Sequence, residues 1–305
     1  MDVVEFLEKK VQVPAEWNHF SREQVALISR ELCRPHLLSA FRATIMASVL
    51  GLQGHLWKFA GKVYYYPTRW RIRAFRKIAA GKAWLVDPED FFRVGELLNW
   101  MFEVVEGEQD LRLAERRVNL TTNHWPVIRT GWRRMYGPSS ELTNATTDEY
   151  VKAEVEYEQF ISTQKEEHLN KLCAALYRPR KRFFRLKRFL QITDADPRQP
   201  YSGEMPDRHP AWQRVPVWQR FAILLFFEGV RNQFITTFDL LYQPSEPGDE
   251  SDDDGPTGWP AIIRVMAGHV IRIEQVAKVP IYNFLFDLNE RIRDARKLKA
   301  MNKKR

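Results

Sequence analysis

Cysteine is scarce in this chain. Cys33 and Cys173 are the only two in 305 residues, and they stand far apart with no CxxC or Cys-His spacing. That excludes a disulfide framework and a thiolate zinc site, and leaves two free thiols expected to be buried. Long apolar stretches are missing as well: the longest unbroken run, Phe221 to Phe227, is only seven residues, far short of a bilayer span. The opening residues MDVVEFLEKK are acidic before they are apolar, unlike a secretion signal. A soluble, cytoplasmic protein with no membrane partner is the expectation.

The residue patterns that carry most enzyme chemistry are equally lacking. No GxGxxG occurs, and Gly61-Lys62 and Gly81-Lys82 lack the earlier glycine that lets a loop cradle phosphate. Histidines at 19, 36, 55, 124, 168, 209 and 269 include no HExxH and no i,i+4 pair, so no metal site is expected. There is no GxSxG elbow around a nucleophilic serine. Glu154, Glu156 and Glu158, like Glu166 and Glu167, are carboxylates one or two residues apart, which on a helix face different directions and read as a solvated face. The expectation is therefore no catalytic residue, no metal, no cofactor and no enzyme.

What the chain does carry is positive charge and aromatic rings. The net charge is +8, and aromatic residues make up 13% of the sequence. A positive field favours encounter with acidic partners or nucleic acid. From Leu169 to Thr193 no acid interrupts the sequence, and Arg178, Arg180, Lys181, Arg182, Arg185, Lys187 and Arg188 surround Phe183 and Phe184. This segment is the candidate surface for a polyanion or a protein partner. A second basic and aromatic candidate is Trp70, Arg71, Arg73, Arg76 and Lys77, and Trp132-Arg133-Arg134 repeats the interleaving. Against these stands the acidic block DESDDD at residues 249–254, read as a solvated loop.

Helical signals dominate the rest. Ser21 with Gln24, Thr146 with Glu149, and Thr163 with Glu166 each have capping-box spacing. Pro35 and Asp87-Pro88-Glu89 suit first turns, and Pro216 opens the most apolar segment, with Phe221 to Phe227 expected at the centre of the core. The fold class expected is mainly α: an irregular multi-helix globular bundle with room for a small β-hairpin near residues 62–75, where tyrosines and alternating residues favour strands. The organisation reads as an N-terminal helical region over residues 1–117, a connection over 118–145, a C-terminal helical core over 146–300 and a basic tail at 301–305.

From Tyr136 onward the ordered pieces MYGPSSELTNATTDEYVKAE, LNKLCAALYRP, YSGEMPD and FAILLFFEGVRNQF resemble those of helical proteins encoded in prophage and tailed-phage tail gene clusters of Bacteroidetes-type bacteria. The resemblance spans about half the chain and brings no catalytic residue. It implies a structural component or assembly chaperone of a phage-like tail, with protein partners among tail components. The function expected is thus non-enzymatic assembly through protein–protein contacts. The alternative is single-stranded nucleic-acid binding by the basic and aromatic segment, with Phe183 or Phe184 stacking on bases.

Overall fold

In the computed structural model the residues described are 2–6, 9–34, 38–59, 62–67, 84–85, 93–103, 115–191, 196–201, 209–242 and 258–302. The second candidate surface, Trp70, Arg71, Arg73, Arg76 and Lys77, lies outside them. So do Pro35, Asp87-Pro88-Glu89, the acidic block at 249–254 and the last three residues of the tail. The fold is mainly helical, with a few short antiparallel strands. It divides into an N-terminal unit, Met1–Asn119 with Val217–Ala222, and a C-terminal unit, Leu120–Pro216 with Ile223–Arg305.

The N-terminal unit begins with a hairpin of β1 (Asp2–Phe6) and β2 (Lys9–Val13), paired in simple register. Its valines and phenylalanine suit a pleated surface, although no such hairpin is expected from the sequence. Helix α1 (Arg22–Leu32) starts where Ser21 and Gln24 exchange side-chain and backbone hydrogen bonds, the capping box that the sequence predicts. Helix α2 (Leu38–Val49) follows, then a sheet in the order β3 (Leu52–Phe59), β4 (Lys62–Pro67), β5 (Trp84–Leu85). The expected hairpin near residues 62–75 includes β4, whose partner β3 precedes that window with a register shift between His55 and Phe59, and residues 68–75 lie outside those described. A 3-10 turn at Glu96–Met101 leads into the short pair β6 (Phe102–Glu103) and β7 (Glu115–Arg116). Trp17, Phe20 and Trp100 pack ring against ring at 5.9–6.2 Å. Both indoles also satisfy their N–H, Trp17 on the Arg117 carbonyl at 2.6 Å and Trp100 on the Pro14 carbonyl at 3.2 Å, as half-polar rings in a core require.

In the C-terminal unit, β8 (Val127–Thr130) and β9 (Arg133–Tyr136) form a hairpin, and β9 also pairs with the two-residue β10 (Arg178–Pro179). The stretch 118–145, read from the sequence as a connection, thus holds ordered strands and buries Leu120, Trp125, Ile128, Met135 and Leu142. Helix α3 (Thr147–Thr163) starts at the Thr146–Glu149 capping box. Helix α4 (Glu166–Leu176) does not start at the one expected for Thr163 and Glu166. Gln164 turns left-handed at φ 55° and ends α3, while the Thr163 hydroxyl donates to the Gln159 carbonyl at 2.6 Å, so Thr163 closes one helix and does not cap the next.

Beyond α4 come α5 (Phe184–Phe189), α6 (His209–Trp212), α7 (Val217–Thr237) and α8 (Asp239–Tyr242). Gly268 breaks the expected helix after Pro260 at φ +65°, giving α9 (Trp259–Ala267) and α10 (Ile273–Ala277). The last helix, α11 (Ile281–Asn302), follows. From Ala222 to Phe227 every side chain on α7 is buried. Tyr150 of α3 lies 5.6 Å from Phe227 and 5.4 Å from Phe234 on α7, and Phe234 meets Tyr282 of α11 edge-on at 4.9 Å. Each such large side chain removed from water contributes about 1.5 to 3 kcal/mol, so this α3–α7–α11 contact is the centre of the C-terminal core. Gly229 on α7 makes a closer approach still: a Cβ there would fall 2.7 Å from the Leu120 carbonyl carbon.

The two thiols differ. Cys173 is buried within α4, whereas Cys33, at the end of α1, is exposed and departs from the expectation for both.

Tyrosine burial has a pH consequence. Burial is the largest cause raising the hydroxyls of Tyr150, Tyr177, Tyr201, Tyr242 and Tyr282, with Tyr201 reaching about 12. Unfolded tyrosine ionises near pH 10, so the native state holds these protons more tightly than the unfolded chain. Their contribution is complete below about pH 10 and is lost as pH rises toward 12. The melting temperature should therefore fall steeply above about pH 10, with phenolate absorbance appearing together with the loss of helical circular dichroism. Phenolate formation from all ten tyrosines in a fully folded sample would contradict this.

Candidate interaction surface

The basic segment is attached to the C-terminal unit through a buried ionic cluster. Glu149, in the first turn of α3, is completely buried and uses its carboxylate twice beyond the cap. One oxygen lies 3.0 Å from an Arg178 Nη and the other accepts from Arg198. Arg198 also donates to the Asn144 carbonyl at 2.8 Å, the Leu176 carbonyl at 3.2 Å and the Asp196 carboxylate at 2.9 Å. Burial pushes the Glu149 carboxyl up from its ordinary value, against the pull of Arg198 and then Arg178. Two guanidinium groups flank one carboxylate here, and Asp196 supplies the second negative charge.

Arg178 therefore belongs to the interior, 3% exposed, and leaves the surface set. The same contacts pin the segment at both ends. Arg180 and Arg198 form a β-bridge, the Lys181 amide donates to the Pro197 carbonyl at 2.8 Å, and the Gln199 amide donates to the Pro179 carbonyl at 2.9 Å. The chain leaves and returns through this closed base, and α5 lies on the excursion that it delimits.

On that excursion the remaining candidates separate. Phe184 is buried at 5%, with the Arg180 guanidinium 5.0 Å from its ring and 5.9 Å from that of Tyr136. Arg180 and Lys181 are half-buried, while Arg182 and Arg188 are exposed. Arg185 and Lys187 lie on α5, where only their backbone is described. Phe183 is 74% exposed and sits at φ 54°, a left-handed conformation that costs a non-glycine residue about 1–2 kcal/mol. Leu186, Phe189 and Leu190 are 58%, 82% and 53% exposed, and their i, i+3, i+4 spacing places them on one face. The charges, Phe183 and Phe184 stand out in the sequence, whereas these leucines and Phe189 do not. The signal available was that spacing between Pro179 and the next proline.

Of the glutamates read as a solvated face, Glu158, Glu166 and Glu167 are exposed, and two are not. Glu154 and Glu156 are buried, Glu154 pairing with Arg231 at 2.7 Å and Glu156 with His168 at 2.8 Å and Lys152 at 2.6 Å; Glu158 alone of the three is exposed. Burial, as the largest cause, raises the Glu154 carboxyl, opposed by Arg231. Glu154 is thus matched by Arg231 on α7 and Glu156 by Lys152 one turn away, contacts that tie side chains of α3 to their surroundings.

Among the described residues no three His, Cys, Asp or Glu side chains converge as a metal site requires, and no helix is long and apolar enough to cross a membrane. An open cleft of about 460 Å³ is lined by Asp239, Leu240, Arg293, Arg296 and Lys297. Arg293 and Lys297 are engaged there with Glu290 and Asp294 one turn away. Comparison of the chain with protein-family models, with curated proteins and with solved structures finds no match.

Proposed function

We propose that the protein is a non-enzymatic assembly protein that docks the α5 excursion onto an apolar, acid-rimmed surface of another protein. The observation that carries this reading is the cluster Phe183, Leu186, Phe189 and Leu190, four large apolar side chains more than half exposed within eight residues. Scattered exposed apolar residues are ordinary, but a contiguous group on a rigid base is what interaction sites present. Aromatic anchors ringed by arginine are enriched at the centres of interfaces. Arg182 and Arg188 supply that ring, and the absence of acids from Leu169 to Thr193 sets the complementary charge of the partner. The resemblance to helical proteins of phage tail gene clusters suggests that this partner is a tail component, which the chain would chaperone or join.

The test is co-expression with the products of neighbouring genes, followed by size-exclusion chromatography of the complexes. Phe189→Glu combined with Leu186→Glu should weaken the complex at least thirtyfold, the effect of losing an interface hot spot of about 2 kcal/mol. Because both side chains are exposed, the melting temperature should not change. A complex that survives the double substitution undiminished would remove α5 from the interface and with it this reading.

A further inference from the structure

The tip of the β8–β9 hairpin carries a different chemistry from α5. The register of the β8–β9 hairpin sets Thr130 opposite Arg133 and leaves Gly131 and Trp132 as a two-residue turn. Gly131 has φ +64°, the sign such tight hairpin turns demand at their first central residue. Trp132 follows at the tip and is fully exposed, at 101%. An indole held in water on a short, paired ribbon gains nothing from the protein's own packing.

Around it the charges are of one sign. Arg129 and Arg134 stand directly opposite each other across the ribbon, and Arg133 completes the turn; all three are exposed. Like charges at directly opposed positions destabilise a strand pair unless a counter-charge is supplied. Arg214 adds a fourth guanidinium, placed so that one of its nitrogens would be 3.2 Å from a Cβ at Gly131. Among the described residues none of these arginines forms an ion pair. The hairpin tip thus offers one exposed π-face and, with Arg214 brought alongside in space, four planar donors without an ion pair among the described residues.

We propose that the β8–β9 tip binds single-stranded nucleic acid, with Trp132 stacking on an unpaired base and Arg129, Arg133, Arg134 and Arg214 holding the adjoining phosphates. A guanidinium fork matches a phosphate bidentately, and a fully projecting indole can stack only on a base whose face is open. A duplex hides those faces within its stack, which selects the single strand. This site uses other residues than the Phe183 or Phe184 stacking expected from the sequence; of those two rings Phe184 is buried beneath Arg180, while Phe183 is exposed.

Fluorescence anisotropy of a labelled oligothymidylate of about 16 nucleotides, the upper site size for one binding platform, provides the test. The full-length protein should bind it at about 50 mM salt. If three or four phosphates are held, the log-log salt slope should be about −2 to −3, from about 0.7 per contact. Trp132→Ala should weaken binding about tenfold and Trp132→Phe should restore most of it, while Arg129→Gln with Arg134→Gln should flatten the slope by about 1.4. The matching duplex should bind more weakly than the single strand. The proposal is overturned by undetectable binding at low salt, by a Trp132→Ala protein as tight as the parent, or by equal affinity for duplex and heparin, which marks a purely electrostatic contact. Loss of binding through Phe189→Glu with no effect of Trp132→Ala also overturns it, and assigns the contact to α5. All of these variants lie on exposed positions, and circular dichroism identical to that of the parent keeps each outcome interpretable.

Discussion

Arg198→Ala should destabilise the C-terminal unit by about 3–5 kcal/mol, measured by urea unfolding followed by circular dichroism. The substitution removes a guanidinium that satisfies Glu149, Asp196 and the carbonyls of Asn144 and Leu176 at once. A buried ion pair is weak evidence of net stabilisation when compared with an apolar core, because desolvation offsets much of the attraction. Breaking it from one side is another matter, since the remaining charges cannot return to water without opening the structure. The exposed Lys278–Glu274 pair supplies the contrast, with both side chains more than half in solvent. Lys278→Ala should leave the midpoint where it was. If Arg198→Ala were as mild as Lys278→Ala, the excursion 181–197 could not be regarded as clamped by Glu149. A looser base should also show itself in the α5 docking assay, through an increased dissociation rate.

Gly229→Ala is the second large expected effect, and two opposing magnitudes decide its sign. Alanine in a helix interior is favoured over glycine by about 0.8–1.0 kcal/mol. Against this, a methyl group at position 229 meets the Leu120 backbone, with its carbonyl carbon only 2.7 Å away. Overpacking typically costs about 1–3 kcal/mol, and more when the obstacle is main chain that no rotamer change can move. The overpacking term wins, and Gly229→Ala should lower stability by about 2 kcal/mol or more, while Gly131→Ala, where the nearest atom is the movable end of the exposed Arg214 side chain, should cost mainly the strain of its positive φ. A neutral or stabilising Gly229→Ala in urea unfolding would show that α7 does not press on Leu120.

The sequence makes local start signals visible and leaves partner choice hidden. Ser21 with Gln24 and Thr146 with Glu149 act as capping boxes because nothing beyond three residues of chain is needed to form them. Phe221 to Phe227 is legible as core for a similar reason, since apolar side chains at every angle around a helix must all be covered. Thr163 with Glu166 has the same spacing and fails, because the left-handed Gln164 intervenes and α3 uses the hydroxyl first. Glu154 and Glu156 look solvated from their spacing alone; their burial is set by Arg231, 77 residues away, and by His168 on the next helix. Within the candidate surface, seven bases among eleven residues conceal that Arg178 answers to Glu149, 29 positions earlier, and the exposure of Phe189 and the two leucines depends on where α5 lies, which the local sequence does not set. Trp132 was legible as an aromatic among arginines. Its exposure required knowing that Gly131 makes the turn.

The unequal exposure of the two thiols gives the chain a built-in reporter on its separate halves. A maleimide or disulfide reagent should modify Cys33 promptly in the native protein, on the N-terminal unit, and reach Cys173 only when helix α4 of the C-terminal unit opens. The kinetics of the second modification, read by mass, then count openings of one unit in the presence of the other without any engineered label. Binding at α5 or at the hairpin tip should slow that second event alone, because a ligand bound only to the folded C-terminal unit draws population away from its open state.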